Sequence, residues 1–136
     1  MEWVYKNKTI TEKDLEGAVS FVYKITNLTN EKSYFGKKKL HFFKRKKVKK
    51  RKNKKIVKTS SDWKDYWGSS QELIDDVKIL GPHNFKREIL IICNNLAQAS
   101  YYEAKYQFEF DVVLHPDKYY NKWIYVRVRR DHLIKK

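Results

Sequence analysis

Two tyrosines, one carboxylate and a block of cations are the residues of this sequence with chemistry to offer. Tyr23, in Phe21-Val22-Tyr23, and Tyr34, in Tyr34-Phe35-Gly36, flank a run of turn residues at 27–32. Adjacent antiparallel strands would bring the two phenols to one surface. The plainer reading is a pair of half-buried strand aromatics. Glu103 interrupts an i, i+3, i+4 row otherwise made of Leu96, Ala99, Tyr106 and Phe110. A carboxylate on a core-facing row needs a cation, hydrogen-bond donors or a solvent-filled cleft; alternatively it is a rim glutamate paired with a lysine.

The cations are concentrated. Fourteen of the twenty-two residues from 37 to 58 are Lys or Arg and none is acidic. Lys37, Lys38, Lys39, Lys44, Arg45, Lys46, Lys47, Lys49, Lys50, Arg51, Lys52, Lys54 and Lys55 are the candidate DNA contacts. Like charges repel, so this block is expected to be extended or mobile until phosphates neutralise it, supplying affinity without sequence information. A solvated basic loop or a localisation signal is the alternative.

Over the whole chain, 31 Lys+Arg against 16 Asp+Glu give a net charge of +15. That balance points to a polyanionic partner, nucleic acid rather than an anionic membrane, because no basic amphipathic helix is evident. No apolar run approaches the roughly 20 residues of a membrane span, and residues 1–10 lack the apolar core of a signal peptide. The single cysteine, Cys93, excludes an internal disulfide framework and a Cys-rich zinc site. An intracellular, cytoplasmic protein is expected. The four histidines show no pair at metal-ligand spacing. His83-Asn84 hints at an HNH nuclease, but the apolar strand that follows favours a turn there. Walker A, nucleophile-elbow and dinucleotide motifs are absent from the sequence.

The elements that must position these residues follow from local signals. Thr11 and Asp14 have capping-box spacing, predicting a short helix over 11–16 ended by Gly17. Residues 18–26 and 33–35 read as a hairpin of two strands, the second ended by Gly36. A short helix is expected near 61–66, and Ser69 with Glu72 would cap a helix running to about Leu80. Residues 85–93 end in four branched apolar residues before Cys93, as a buried central strand does. Residues 96–110 read as a helix and 119–130 as extended. The expected fold is a single α+β domain over 1–136, with a small, mainly antiparallel three-stranded sheet flanked by helices. It carries a basic insertion at 37–58 and a C-terminal extension at 122–136.

These residues resemble the GIY-YIG nuclease family. Phe21-Val22-Tyr23 and Tyr34-Phe35-Gly36 look like the two halves of its signature, with apolar exchanges that keep both tyrosines. Glu103 in Tyr101-Tyr102-Glu103-Ala104-Lys105 resembles the family's metal-binding glutamate, and Asn121 in Tyr119-Tyr120-Asn121 the asparagine that follows it. Tyr66-Trp67-Gly68-Ser69-Ser70 and residues 84–90 look like the subgroup of phage free-standing homing endonucleases of the Seg type. The match runs from about Val19 to Ile124. The helical arginine that usually follows the second tyrosine falls within the basic insertion, where Arg45 is the nearest candidate and Lys37 or Lys38 could do its electrostatic work.

The resemblance implies hydrolysis of double-stranded DNA with one divalent cation, Mg²⁺ or Mn²⁺, held by Glu103. Tyr23 would be the general base, its pKa lowered by nearby cations; Tyr34 would orient water or phosphate, and Asn121 would bond near the metal or the scissile group. Arg45 or Lys37 would neutralise developing phosphate charge. One site makes one cut, so the protein is expected to act as a monomer or as a transient homodimer on DNA, in the host cytoplasm if phage-encoded. Two alternatives stay open: a non-catalytic nucleic-acid-binding module, in which Trp63, Tyr66 and Trp67 stack on bases, and a repair or junction-resolving nuclease.

Overall fold

The computed structural model describes residues 2–46 and 55–134. Its elements are β1 (Trp3–Tyr5), β2 (Lys8–Thr9), β3 (Ser20–Asn27), β4 (Ser33–Lys39), β5 (His41–Lys46), β6 (Lys55–Ser60), α1 (Gln71–Leu80), β7 (Phe85–Cys93), α2 (Leu96–Glu109) and a short α3 (Arg130–Leu133). The α+β class is as expected, but the sheet is larger and mixed. Five strands lie in the order β2-β1-β7-β3-β4, with β1 parallel to β7. The two extra strands come from an N-terminal hairpin that sequence reasoning missed. Its loop is Lys6-Asn7, both residues at positive φ, which is type I′ geometry without the usual Asn-Gly signature.

The β3–β4 hairpin is longer than predicted. Gly36 does not end β4, which continues to Lys39. β7 is the central strand, as its apolar run implied, and pairs with both β1 and β3. A register shift between Val22 and Tyr23 sets Ile91 opposite Val22 but Ile89 opposite Tyr23. This bulge re-aims the chain beside the first candidate tyrosine.

The basic block departs from the expected arm. Residues 41–46 and 55–60 form a separate two-stranded hairpin, with His41 opposite Ser60 and Lys46 opposite Lys55. Aromatic and branched residues in both halves (Phe42, Phe43, Ile56, Val57) supply the strand propensity that the charge count obscured. Lys47, Lys49, Lys50, Arg51, Lys52 and Lys54 lie outside the described residues.

Two local signals resolved differently from their prediction. Thr11 and Asp14 exchange the capping-box bonds, Thr11 Oγ1 accepting from Asp14 N and Asp14 Oδ2 from Thr11 N. The chain then passes through a series of turns rather than a helix. At α1 the cap is Ser70, whose hydroxyl accepts from Leu73 N; Ser69 is turned to another use. Residues 61–66 form the expected short helix as a 3₁₀ turn, Trp63–Asp65.

The sheet separates two apolar layers. Phe21, Tyr23 and Ile25 from β3 pack with Trp3, Trp63, Leu73 and Phe85 on one side. Val22, Cys93 and Ala99 form a smaller cluster against α2 on the other. Arg87 on β7 ties the two ends of the larger layer together. It lies between the rings of Trp3 and Trp67 and donates to the carbonyls of Lys64 and Tyr66. No helix among the described residues is long and apolar enough to cross a membrane.

Candidate active site

The β3–β4 register dictates how the two tyrosines meet. Tyr23 is opposite Gly36 and Ile25 is opposite Tyr34, so both phenols lie on one face as diagonal neighbours. Their ring centroids are 6.2 Å apart. Gly36 leaves the space across the ladder that the Tyr23 ring fills. Gly68, at φ +86°, closes over the same hydroxyl: a side chain there would stand 3.4 Å from Tyr23 Oη and 3.2 Å from the Tyr34 ring. The Tyr23 ring meets Tyr66 edge-on at 6.0 Å.

β4 is an edge strand, and edge strands expose unpaired backbone groups that must be covered. Here the outward-facing main-chain groups of Ser33 and Phe35 on β4 are covered. Ser33 N donates to Lys118 O, and Ser33 O accepts from Tyr120 N. Phe35 N donates to Asn121 Oδ1, while Phe35 O accepts from Asn121 Nδ2 and from Gln107 Nε2. Glu103, on α2, faces the same edge beside Lys37, whose charge and main-chain N–H draw the carboxyl pKa down. The expected glutamate and asparagine are therefore brought to the same strand edge, one from α2 and one from the segment after it.

A cleft of about 440 Å³ opens along this edge. Tyr34, Lys37, Ser69, Glu103 and Asn121 line it, together with Lys122, Trp123 and Tyr125 from the C-terminal segment. The Tyr34 hydroxyl is 2.8 Å from Ser69 Oγ, and Lys37 Nζ donates to Ser100 Oγ at 2.6 Å beside Glu103.

Burial dominates the electrostatics. It pushes the Glu103 carboxyl up to about 7, against the pull of Lys37 and its backbone N–H. Burial also raises Tyr23 well above a phenol's usual 10, reinforced by Tyr34, Tyr66 and the Glu103 charge. Tyr34 shifts the same way, its bond to Ser69 opposing. The cations expected to lower Tyr23 do not dominate its surroundings. Tyr23 is only 1% exposed, and in this state it is a neutral phenol.

Of the candidate cations, Lys37 reaches the cleft. Lys38 points to the other face, pairing with Asp62 at 2.6 Å and lying 4.1 Å over the Tyr66 ring. Lys39 borders a neighbouring pocket of about 340 Å³ with Lys37 and Lys38. Arg45 lies on β5 opposite Ile56. Among the described residues no three His, Cys, Asp or Glu side chains cluster to hold a metal. A lone glutamate suits a cation that keeps most of its shell as water and phosphate oxygens, as Mg²⁺ does; Glu103, lining an open cleft, fits that demand.

Sequence reasoning missed Gln107 and Ser69 as parts of the site. Gln107 is one turn beyond Glu103 on the same helix face, a signal that could have found it. The predicted apolar row on α2 is only partly buried: Leu96 and Phe110 are exposed, while Ala99, Ala104 and Gln107 face inward. The aromatics expected to stack on bases are engaged internally. Trp63 is buried, Tyr66 is covered by Lys38, and Trp67 packs on Arg87 and Phe85.

A family model described as "Putative endonuclease segE, GIY-YIG domain" matches residues 3–124. No curated protein and no solved structure gives a significant match.

Proposed function

Because the chain belongs to the Seg-type GIY-YIG endonuclease family, we propose that it is a metal-dependent endonuclease of homing type that hydrolyses double-stranded DNA at the Tyr34–Glu103 cleft. The observation that carries this reading is Glu103 itself, a carboxylate that lines the cleft beside Lys37 within a chain of net charge +15. A module that only bound DNA would gain nothing from a carboxylate facing phosphates, whereas a divalent ion inverts that cost.

When bound at Glu103, Mg²⁺ or Mn²⁺ would polarise phosphoryl oxygens and offset the carboxylate charge. Lys37, whose ammonium lies at Ser100 beside the cleft, neutralises charge developing on the phosphate. Tyr34 lines the cleft and orients the attacking water or the phosphate through its hydroxyl. Tyr23 is the proton acceptor behind it. Its neutral resting state makes the demand on this role explicit: burial, the largest cause of its raised pKa, and the smaller pulls of Tyr34, Tyr66 and Glu103 must be offset before it takes a proton. Asn121 acts at one remove, because both ends of its amide hold the Phe35 main chain. It fixes the strand that carries Tyr34 and Lys37.

The test is supercoiled plasmid cut by the full chain in Mg²⁺, in Ca²⁺ and in EDTA. Relaxation in Mg²⁺ alone, with binding in all three, supports the reading. Cutting that persists in EDTA overturns it. One site per chain makes nicking the first product, with linear DNA arising from a second event or a transient dimer.

A further inference from the structure

We propose that the C-terminal segment 122–129 is a base-stacking strap, which takes unpaired bases of the DNA where it leaves the cleft. This rests on the nuclease reading and deepens it by naming the form of the substrate. Trp123 and Tyr125 are 76% and 72% exposed, an extreme placement for such large aromatics. They alternate with half-buried Ile124, as an extended chain does when one face rests on the body. Arg127 and Arg129 continue the outward face, Arg129 also bonded to exposed Asp131 at 3.1 Å.

The surface is continuous with the catalytic cleft, since Trp123 and Tyr125 line the same cavity as Glu103 and Tyr34. Its charge complements phosphate. Trp63, Tyr66 and Trp67 are committed to the core, to Lys38 and to Arg87, whereas among the described residues Trp123 and Tyr125 are the most exposed rings lining the cleft. Fully paired DNA hides its base faces; a flat ring on an exposed strand finds a partner only where bases are unstacked. The occupant is therefore DNA with an unpaired stretch beside the scissile phosphate: a bulge, a flap or a locally opened duplex.

The experiment compares binding, by fluorescence anisotropy in EDTA, of a fully paired 30-mer duplex and the same duplex with a central three-base bulge. Wild type, Trp123→Ala/Tyr125→Ala and Trp123→Phe/Tyr125→Phe are measured on both. Stacking predicts a loss of about tenfold per truncated ring on the bulged duplex and less than about threefold on the paired one. The phenylalanine pair, which keeps both rings, should stay within about threefold of wild type on either. Equal losses on both duplexes, or none, would overturn the strap. So would a drop from dimer to monomer in sedimentation of the alanine pair, because the rings would then be a self-interface. Plasmid cleavage in Mg²⁺ run alongside separates the two readings: if wild type cuts while the alanine pair binds bulged DNA normally, only the strap fails; if wild type neither cuts nor binds, the nuclease reading fails with it.

Discussion

The phenol ring of Tyr23 fills the space in which Gly36 would otherwise carry a side chain. A Cβ on Gly36 would stand 2.5 Å from Tyr23 Cζ and closer still to the hydroxyl. The two residues are direct partners across the β3–β4 ladder, so a tyrosine lying over the strand requires glycine opposite it. Gly36→Ala should cost about 1–3 kcal/mol by overpacking, measured by urea denaturation. Tyr23→Phe should not relieve it, because Cζ remains in the way. An alanine variant as stable as wild type would mean that the ring sits elsewhere.

Glu103 gives a pH signature of opposite sign to the usual acidic residue. Its folded pKa, about 7, lies above the ordinary 4.5, so the folded state holds the proton more tightly than the unfolded chain. Its cost to stability is absent below about pH 4.5, grows as pH rises, and is complete above about 7. Glu103→Gln should therefore stabilise the metal-free protein at pH 8 by on the order of 2–3 kcal/mol and change little at pH 4.5. Thermal melts at the two pH values check this. A destabilised variant at pH 8 would contradict it.

The same titration governs metal binding. Only the ionised carboxylate binds a cation, so Mg²⁺ affinity should weaken by roughly tenfold per pH unit below about 7. The increase in melting temperature that Mg²⁺ produces at pH 8 should vanish at pH 5.5 and in Glu103→Gln. A shift that survives in the variant would move the metal elsewhere.

Asn121 offers a way to separate a structural amide from a metal contact. Asn121→Ala strands the buried Phe35 N–H, while Phe35 O keeps its bond from Gln107, and should cost about 1–3 kcal/mol. Per folded molecule, its Mg²⁺ affinity should match that of wild type by calorimetry. Tenfold weaker Mg²⁺ binding by a folded Asn121→Ala would make it part of the metal site.

Affinity from the basic hairpin should be electrostatic. Lys46→Gln with Lys55→Gln should weaken binding equally on unrelated duplexes and lower the salt slope by about 0.9 for each phosphate no longer neutralised. A sequence-dependent loss would show that the hairpin reads bases.

Much of this arrangement is legible in the sequence. The β-branched and aromatic run of 18–26, the apolar run of 85–93 and the helical pattern of 96–110 are strong signals, and each formed its expected element, as Ser20–Asn27, Phe85–Cys93 and Leu96–Glu109. The N-terminal strands are not legible there, because three- and two-residue strands carry almost no pattern and their Lys6-Asn7 loop lacks glycine. The hairpin within the basic block was hidden because its charge outweighs the alternation of its few apolar residues. Site membership failed where it depends on tertiary address. Gln107 serves the edge of β4 beside the expected Asn121, and no local pattern states which strand will be an edge. The upward shift of Tyr23 had the same origin: its sequence neighbours include lysines, but the ring is surrounded in the fold by Tyr34, Tyr66 and Trp3.

The most direct test of the account is single-turnover cleavage of supercoiled plasmid in Mg²⁺ by wild type, Glu103→Ala, Tyr34→Phe and Tyr23→Phe, with DNA binding followed in parallel. The account predicts that all four bind alike, that Glu103→Ala slows cutting by at least about a hundredfold, and that each phenylalanine variant slows it by about a hundredfold or more. Glu103→Ala cutting at the wild-type rate, or a wild type that binds every duplex and cuts none in any divalent ion, would contradict it.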